Sequence, residues 1–162
     1  AMANALNGKG RVAILEGIPG APSAADRQQG FLNELKKYPD IQVVASLTAN
    51  YSREQGATVA EDILQGNPVL NGIYGHNDEM ALGAVRAAIA AGRLSELKIV
   101  GIDATDDALA AIKAGEMVAT VQQQPALQMA MAVVAAQRII NGATVEPKVI
   151  IPLKLITIEE LE

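Results

Sequence analysis

The chain has no cysteine and no tryptophan, a single histidine, and only one phenylalanine and three tyrosines among 162 residues. The missing thiols exclude disulfides, thiolate nucleophiles and thiolate metal sites, and they leave the compartment open. With one histidine, His76, a Ser-His-Asp triad or a multi-histidine metal centre has almost nothing to be built from, and no G-x-S-x-G elbow accompanies it. His76 is expected to be a loop or core residue. Runs of one charge are missing too: thirteen basic against eighteen acidic residues give a formal charge of −5. Nothing there grips a phosphate backbone, so nucleic acid is not an expected partner. No apolar run reaches 18 residues, and residues 1–10 lack the basic and apolar regions of a signal peptide. Neither G-x-G-x-x-G nor a P-loop motif occurs, which leaves nucleotide chemistry without support.

What is present is aliphatic. Half of the residues are apolar, mostly Ala, Val, Ile and Leu, enough for one domain with a sizeable core built from layers of small side chains. Short β-rich runs at 11–16, 41–47, 69–74, 97–102 and 118–122 alternate with helical stretches at 23–38, 52–65, 77–91 and 106–114. Ser23 is placed as a helix cap with Asp26 in a capping-box position, Ser52 as the next cap, and Gly92 and Gly115 as helix stops. The first, third and fourth runs are almost continuously apolar, as strands covered on both faces require. The expected fold is α/β: a three-layer, mostly parallel twisted sheet with helices on both faces. Right-handed crossovers then gather the strand-to-helix loops at one sheet edge, where a ligand sits.

The polar residues that fall in those loops are Arg27, Asn50, Tyr51, His76 to Glu79, Asp103 to Asp107 and Gln122 to Gln124. One Arg, one Asp, several amides and a Tyr suit a hydroxyl-rich ligand, because each offers directional donors or acceptors; no reaction suggests itself. Arg27 can donate two parallel bonds to vicinal hydroxyls or form a surface ion pair. Asp103 ends an apolar strand, where an acid is costly unless it binds or caps. Asn77 serves as ligand, as helix cap, or as both. Tyr51 offers a ring face to a sugar or merely covers the sheet edge. Asp103, Asp106 and Asp107 are not expected to hold a metal, since 106 and 107 fall where helix N-termini ordinarily attract carboxylates.

Three segments taken together, Gly75-His76-Asn77-Asp78-Glu79-Met80-Ala81-Leu82-Gly83-Ala84, Val100-Gly101-Ile102-Asp103 and Ala119-Thr120-Val121-Gln122-Gln123-Gln124-Pro125, strongly resemble the ribose-binding branch of the periplasmic sugar-binding proteins. The resemblance runs from about Gly8 to the C-terminus and implies a flavodoxin-like lobe of a two-lobed, non-catalytic receptor, with no cofactor. It implies that Arg27, Asn77, Asp103 and Gln123 are polar ligands of a monosaccharide, with Tyr51 on a family aromatic that is usually phenylalanine and Ile18 as an apolar contact. It further implies a periplasmic parent protein and an ABC-type permease as partner. The chain corresponds to the C-terminal lobe, so the N-terminal lobe is itself an expected partner, and sugar binding by this half is expected to be weak.

On that basis residues 1–10 are expected to be a tag remnant and linker, 11–123 the sugar-binding lobe, 124–152 a helix and strand completing the other lobe, and 153–162 a return segment. The helix at 126–140 is apolar almost all round, and without its partners it is expected to fold back on the sheet edge or to pair with a second copy through this helix or by exchanging segments. Two other functions fit the fold class: the effector-binding core of a LacI-type transcription repressor, and a flavodoxin-like enzyme or cofactor carrier. The ending Ile151-Pro152-Leu153-Lys154-Leu155-Ile156-Thr157 resembles the receptors more than the repressors.

Overall fold

A computed structural model describes residues 1–161. The chain runs α1 (Met2–Ala5), β1 (Lys9–Glu16), α2 (Pro22–Leu35), β2 (Asp40–Thr48), α3 (Arg53–Gly66), β3 (Gly72–Gly75), α4 (Asp78–Ala90), β4 (Lys98–Ile102), α5 (Asp106–Lys113), β5 (Ala119–Gln122), α6 (Pro125–Ile140) and β6 (Lys154–Ile156). One six-stranded sheet has the order β2-β1-β3-β4-β5-β6. β1 to β5 are parallel, and β6 pairs antiparallel with β5. The mostly parallel, three-layer α/β architecture is as expected.

The layers follow from the pleat, because successive side chains of a strand point to opposite faces. Ala13 and Leu15 of β1 join Ile73, Ile99 and the small-residue faces of α3, α4 and α5 in one core. Val12 and Ile14 join Ile41, Tyr74, Val100 and Ala119 in the other, beneath Leu35 of α2 and Met2 of α1. Phe31 stacks on Tyr74 there, with ring centroids 4.3 Å apart. Helices α3 and α4 approach closely because both carry glycine at the crossing: a Cβ on Gly83 would lie 2.3 Å from the Arg53 carbonyl, and one on Gly56 would lie 2.8 Å from Met80 Cα.

Three local expectations change. Ser23 is not a cap: α2 starts one residue earlier, with Pro22 in its first turn and Ala21 as an N-cap without a side-chain bond. Proline at the first helical position needs no N–H partner, and this sets the start. The third strand is shorter than its apolar run, since Val69 and Leu70 lie outside β3 although Leu70 is buried. Within residues 1–10, expected to be a tag remnant and linker, Met2 and Ala3 are buried in the second core. The strand expected after the helix within 124–152 is irregular backbone at 145–151, and this stretch pairs with none of the six strands of the described residues.

Helix α6 does not fold back on the sheet edge. That edge is taken by β6, and no residue of α6 is buried. Leu127, Met129, Val133, Val134, Ile139 and Ile140 all face solvent. The chain leaves the sheet at Gln124 and returns at Pro152, where the Gln124 side-chain amide donates to the Pro152 carbonyl at 2.7 Å. Helix and return segment form an arm outside the lobe's two cores.

Candidate functional site

The strand order places a topological switch point between β1 and β3: the chain moves from β1 outward to β2, then crosses back to β3 and proceeds the other way. In open parallel sheets ligands bind outside the carboxyl ends of the strands at such a point. Here the loops after β1 and β3 are locked together by His76. Its Nδ1 accepts from the Gly17 amide at 3.1 Å, and its Nε2 pairs with Gln28 Oε1 at 2.9 Å. Burial lowers its pKa to about 4, so the ring is neutral and can accept at Nδ1 while donating at Nε2. Of the two expectations for His76, loop or core, the structure shows a buried residue at the head of the loop after β3.

Arg27 reaches over that junction from the second turn of α2. It donates from Nη1 to the His76 carbonyl at 2.6 Å, and its Nη2 lies 3.5 Å from Asp103 Oδ1. Its guanidinium carbon lies 5.6 Å from the Tyr51 ring centroid, a cation–π contact. Asp103 stands at the C-terminal end of β4, and its Oδ1 also accepts from Gln123 Nε2 at 2.5 Å. Burial raises the Asp103 pKa, while the Gln123 bond and the Arg27 charge oppose that shift. Further hydroxyl donors at this carboxylate would lower its pKa again. The side chains of Arg27 and Asp103 retain 17 and 31% exposure, so the pair remains open to a ligand.

Asn77 combines its two expected roles. Its Oδ1 accepts from the Met80 amide at 3.0 Å, capping α4, and its Nδ2 donates to the Tyr51 carbonyl at 3.2 Å. Tyr51 follows Asn50 in a left-handed turn, with φ of 60° and 51°. The Tyr51 hydroxyl pairs with Ser23 Oγ at 3.0 Å, which ties the ring to α2. Gly17 makes room for that ring: a Cβ there would lie 2.1 Å from Tyr51 Cζ. The structure therefore brings Arg27, Tyr51, Asn77, Asp103 and Gln123 into one connected shelf. Ile18 sits beside it in the loop after β1, half exposed at 49%.

Three residues of this neighbourhood were given no role by the sequence reading. Gly17 is one, and its signal is a glycine beside an expected aromatic. Asp78 and Thr120 are the others, both fully buried beneath the shelf. Asp78 looks like an ordinary first-turn acid, and the only sequence hint of its burial is Gly101, where a Cβ would lie 2.3 Å from Asp78 Oδ1. Farther out, Arg53 donates to both carboxylate oxygens of Glu79, at 2.8 and 2.9 Å, and to Asp107 at 2.7 Å. This joins the first turns of three helices and occupies Asp107. Among the described residues no group of three or more His, Cys, Asp or Glu is placed to hold a metal ion.

The profile of the periplasmic binding protein domain matches residues 1–144. The chain is 43% identical to the ribose import binding protein of Bacillus subtilis over 151 residues, covering 93% of this chain and 48% of that protein. It is 33% identical to a xylitol-binding protein of Mycolicibacterium smegmatis, covering 99% of this chain and 46% of the other. Among solved structures, a periplasmic solute-binding protein of an ABC transporter from Actinobacillus succinogenes, with bound D-allose, superposes with a TM-score of 0.94 at 38% identity. That match covers 98% of this chain and 57% of the other. The chain belongs to the periplasmic binding protein domain family. It spans about half the length of the curated relatives it matches, and the repressor alternative finds no support among these proteins.

Proposed function

We propose that the chain is the C-terminal lobe of a non-catalytic receptor for a monosaccharide, ribose or a related sugar or polyol, whose parent protein is periplasmic and feeds an ABC-type importer. The observation that carries this reading is the convergence of Arg27, Tyr51, Asn77, Asp103 and Gln123 at the switch-point edge, with an Arg–Asp pair still open to solvent. A guanidinium and a carboxylate side by side offer donors and acceptors to neighbouring hydroxyls. The aromatic ring beside them suits the C–H face of a sugar. Tyr51 acts here as a ring alone, because its hydroxyl is engaged by Ser23.

The parent's other lobe supplies the second wall, and the apolar arm at 124–152 belongs against it. Without that wall the lobe loses contacts and water exclusion. A fall from micromolar to millimolar affinity corresponds to about 4 kcal/mol. In the isolated chain, the exposed face of α6 is what two copies share when they pair. Titration of this chain with D-ribose, D-allose and xylitol, followed by amide chemical shifts, tests the site. The expected result is millimolar binding that perturbs the loops around Arg27 and Asp103 and disappears in Arg27→Ala. Shifts elsewhere, or none with any of the three, would refute the reading. Light scattering tests the pairing: a strict monomer at all concentrations is the outcome that sinks it.

A further inference from the structure

The turn carrying Asp103 is fixed along its backbone. Three consecutive amides in it are held by three separate acceptors. The Asp103 amide donates to the Val121 carbonyl at 2.9 Å, the Ala104 amide to Thr120 Oγ1 at 3.2 Å, and the Thr105 amide to Asp78 Oδ2 at 2.9 Å. Thr120 donates its hydroxyl to Asp78 Oδ1 at 2.7 Å, so it both accepts from the turn and is fixed from beneath. Both residues are 0% exposed and neither reaches the shelf.

Between these anchors the backbone takes a course that ordinary residues avoid. Asp103 has φ 131° and Ala104 has φ 57°, two successive non-glycine residues at positive φ. Such conformations persist only where the surroundings over-determine them. The turn sets the Asp103 carboxylate against Gln123 and Arg27.

We propose that Asp78 and Thr120 are positioning residues of the ligand shelf: they clamp the 103–105 turn in its left-handed course and so aim the Asp103 carboxylate, without touching the ligand. The consequence for affinity rests on the receptor reading above; the clamp itself does not. A merely structural role, anchoring the start of α5, would lower stability when removed and leave the turn's dihedral angles and the Asp103–Gln123 contact intact.

The test uses the chain itself with Thr120→Val, Thr120→Ser and Asp78→Asn. Three readouts need no ligand: the HN–Hα couplings of Asp103 and Ala104, the exchange rate of the Ala104 amide, and the side-chain amide resonances of Gln123. In Thr120→Val we expect changed couplings, at least tenfold faster exchange, and Gln123 resonances shifted towards those of a free amide. Thr120→Ser, which keeps the hydroxyl, restores all three. If Thr120→Val does not fold, Asp78→Asn carries the same comparison with smaller changes in the same direction. A folded variant with unaltered couplings, exchange and Gln123 resonances overturns the clamp. A D-ribose titration adds the functional arm, with affinity about tenfold weaker in Thr120→Val and regained in Thr120→Ser. If wild type responds to none of D-ribose, D-allose and xylitol, the receptor reading fails, and the ligand-free readouts still decide the clamp.

Discussion

The lobe and the arm use the same aliphatic vocabulary to opposite ends. In β1, Val12, Ala13, Ile14 and Leu15 are all fully buried, two towards each helical layer. In α6, Val133, Ile139 and Ile140 are chemically equivalent and stand in solvent. Apolar character is therefore a request for cover, and whether the request is met depends on what the rest of the chain brings alongside. For β1 the neighbours are β2 and β3, both within this chain. Among the described residues nothing covers α6, which is why a helix with apolar residues all round makes no core here.

The contrast can be broken most forcefully from the inside. Leu15→Ala deletes a side chain packed on all sides, and we expect a loss of about 2–5 kcal/mol in denaturant unfolding. A loss under about 1 kcal/mol would mean the core is far looser than it looks.

The next effect is set by pH and belongs to the lobe alone. His76 has a folded pKa lowered by burial to about 4, against 6.5 when unfolded. Its contribution is fully present above pH 6.5 and is lost as pH falls towards 4, by at most about 3 kcal/mol. Asp78 and Asp103, whose pKa values burial raises, act in the other direction, because a raised carboxyl takes up its proton in the folded state first. The histidine's share is therefore read as the difference between wild type and His76→Asn, which keeps an acceptor for the Gly17 amide. Equal pH slopes for the two proteins would contradict a buried neutral ring.

The smallest effect should come from the arm. Ile140→Lys, at a position 83% exposed, is expected to change unfolding stability by less than about 0.5 kcal/mol. The same change should reduce self-association and binding of a hydrophobic dye. A large loss of stability would show that the arm packs on something after all.

The alternation of strands and helices was legible because each element carries its own periodicity and punctuation: Ser52 and Asn77 cap as their positions suggest, and Gly92 and Gly115 stop helices at positive φ. What failed depended on non-local partners. The stretch at 145–151 has the composition of a strand, yet a strand exists only where another offers its hydrogen bonds. The shelf was legible in Arg27, Tyr51, Asn77 and Asp103 because topology alone sends strand-end loops to one edge, and the resemblance singled out Gln123 and supplied Ile18. The layer beneath was not. Asp78 is one acid beside another, Glu79, and nothing in the order of letters says that the first is buried while the second faces Arg53.

The arm's two ends deserve a builder's eye. β5 and β6 run antiparallel with Gln122 opposite Lys154, and Gln124 bonds directly to Pro152 across the base of the excursion. A short turn in place of the intervening residues would convert two distant segments into an ordinary hairpin and keep Gln123 on the shelf side. The arm is thus an insertion at a hairpin tip, and the lobe can be shortened to a self-contained module or given a different insert there without redrawing its sheet.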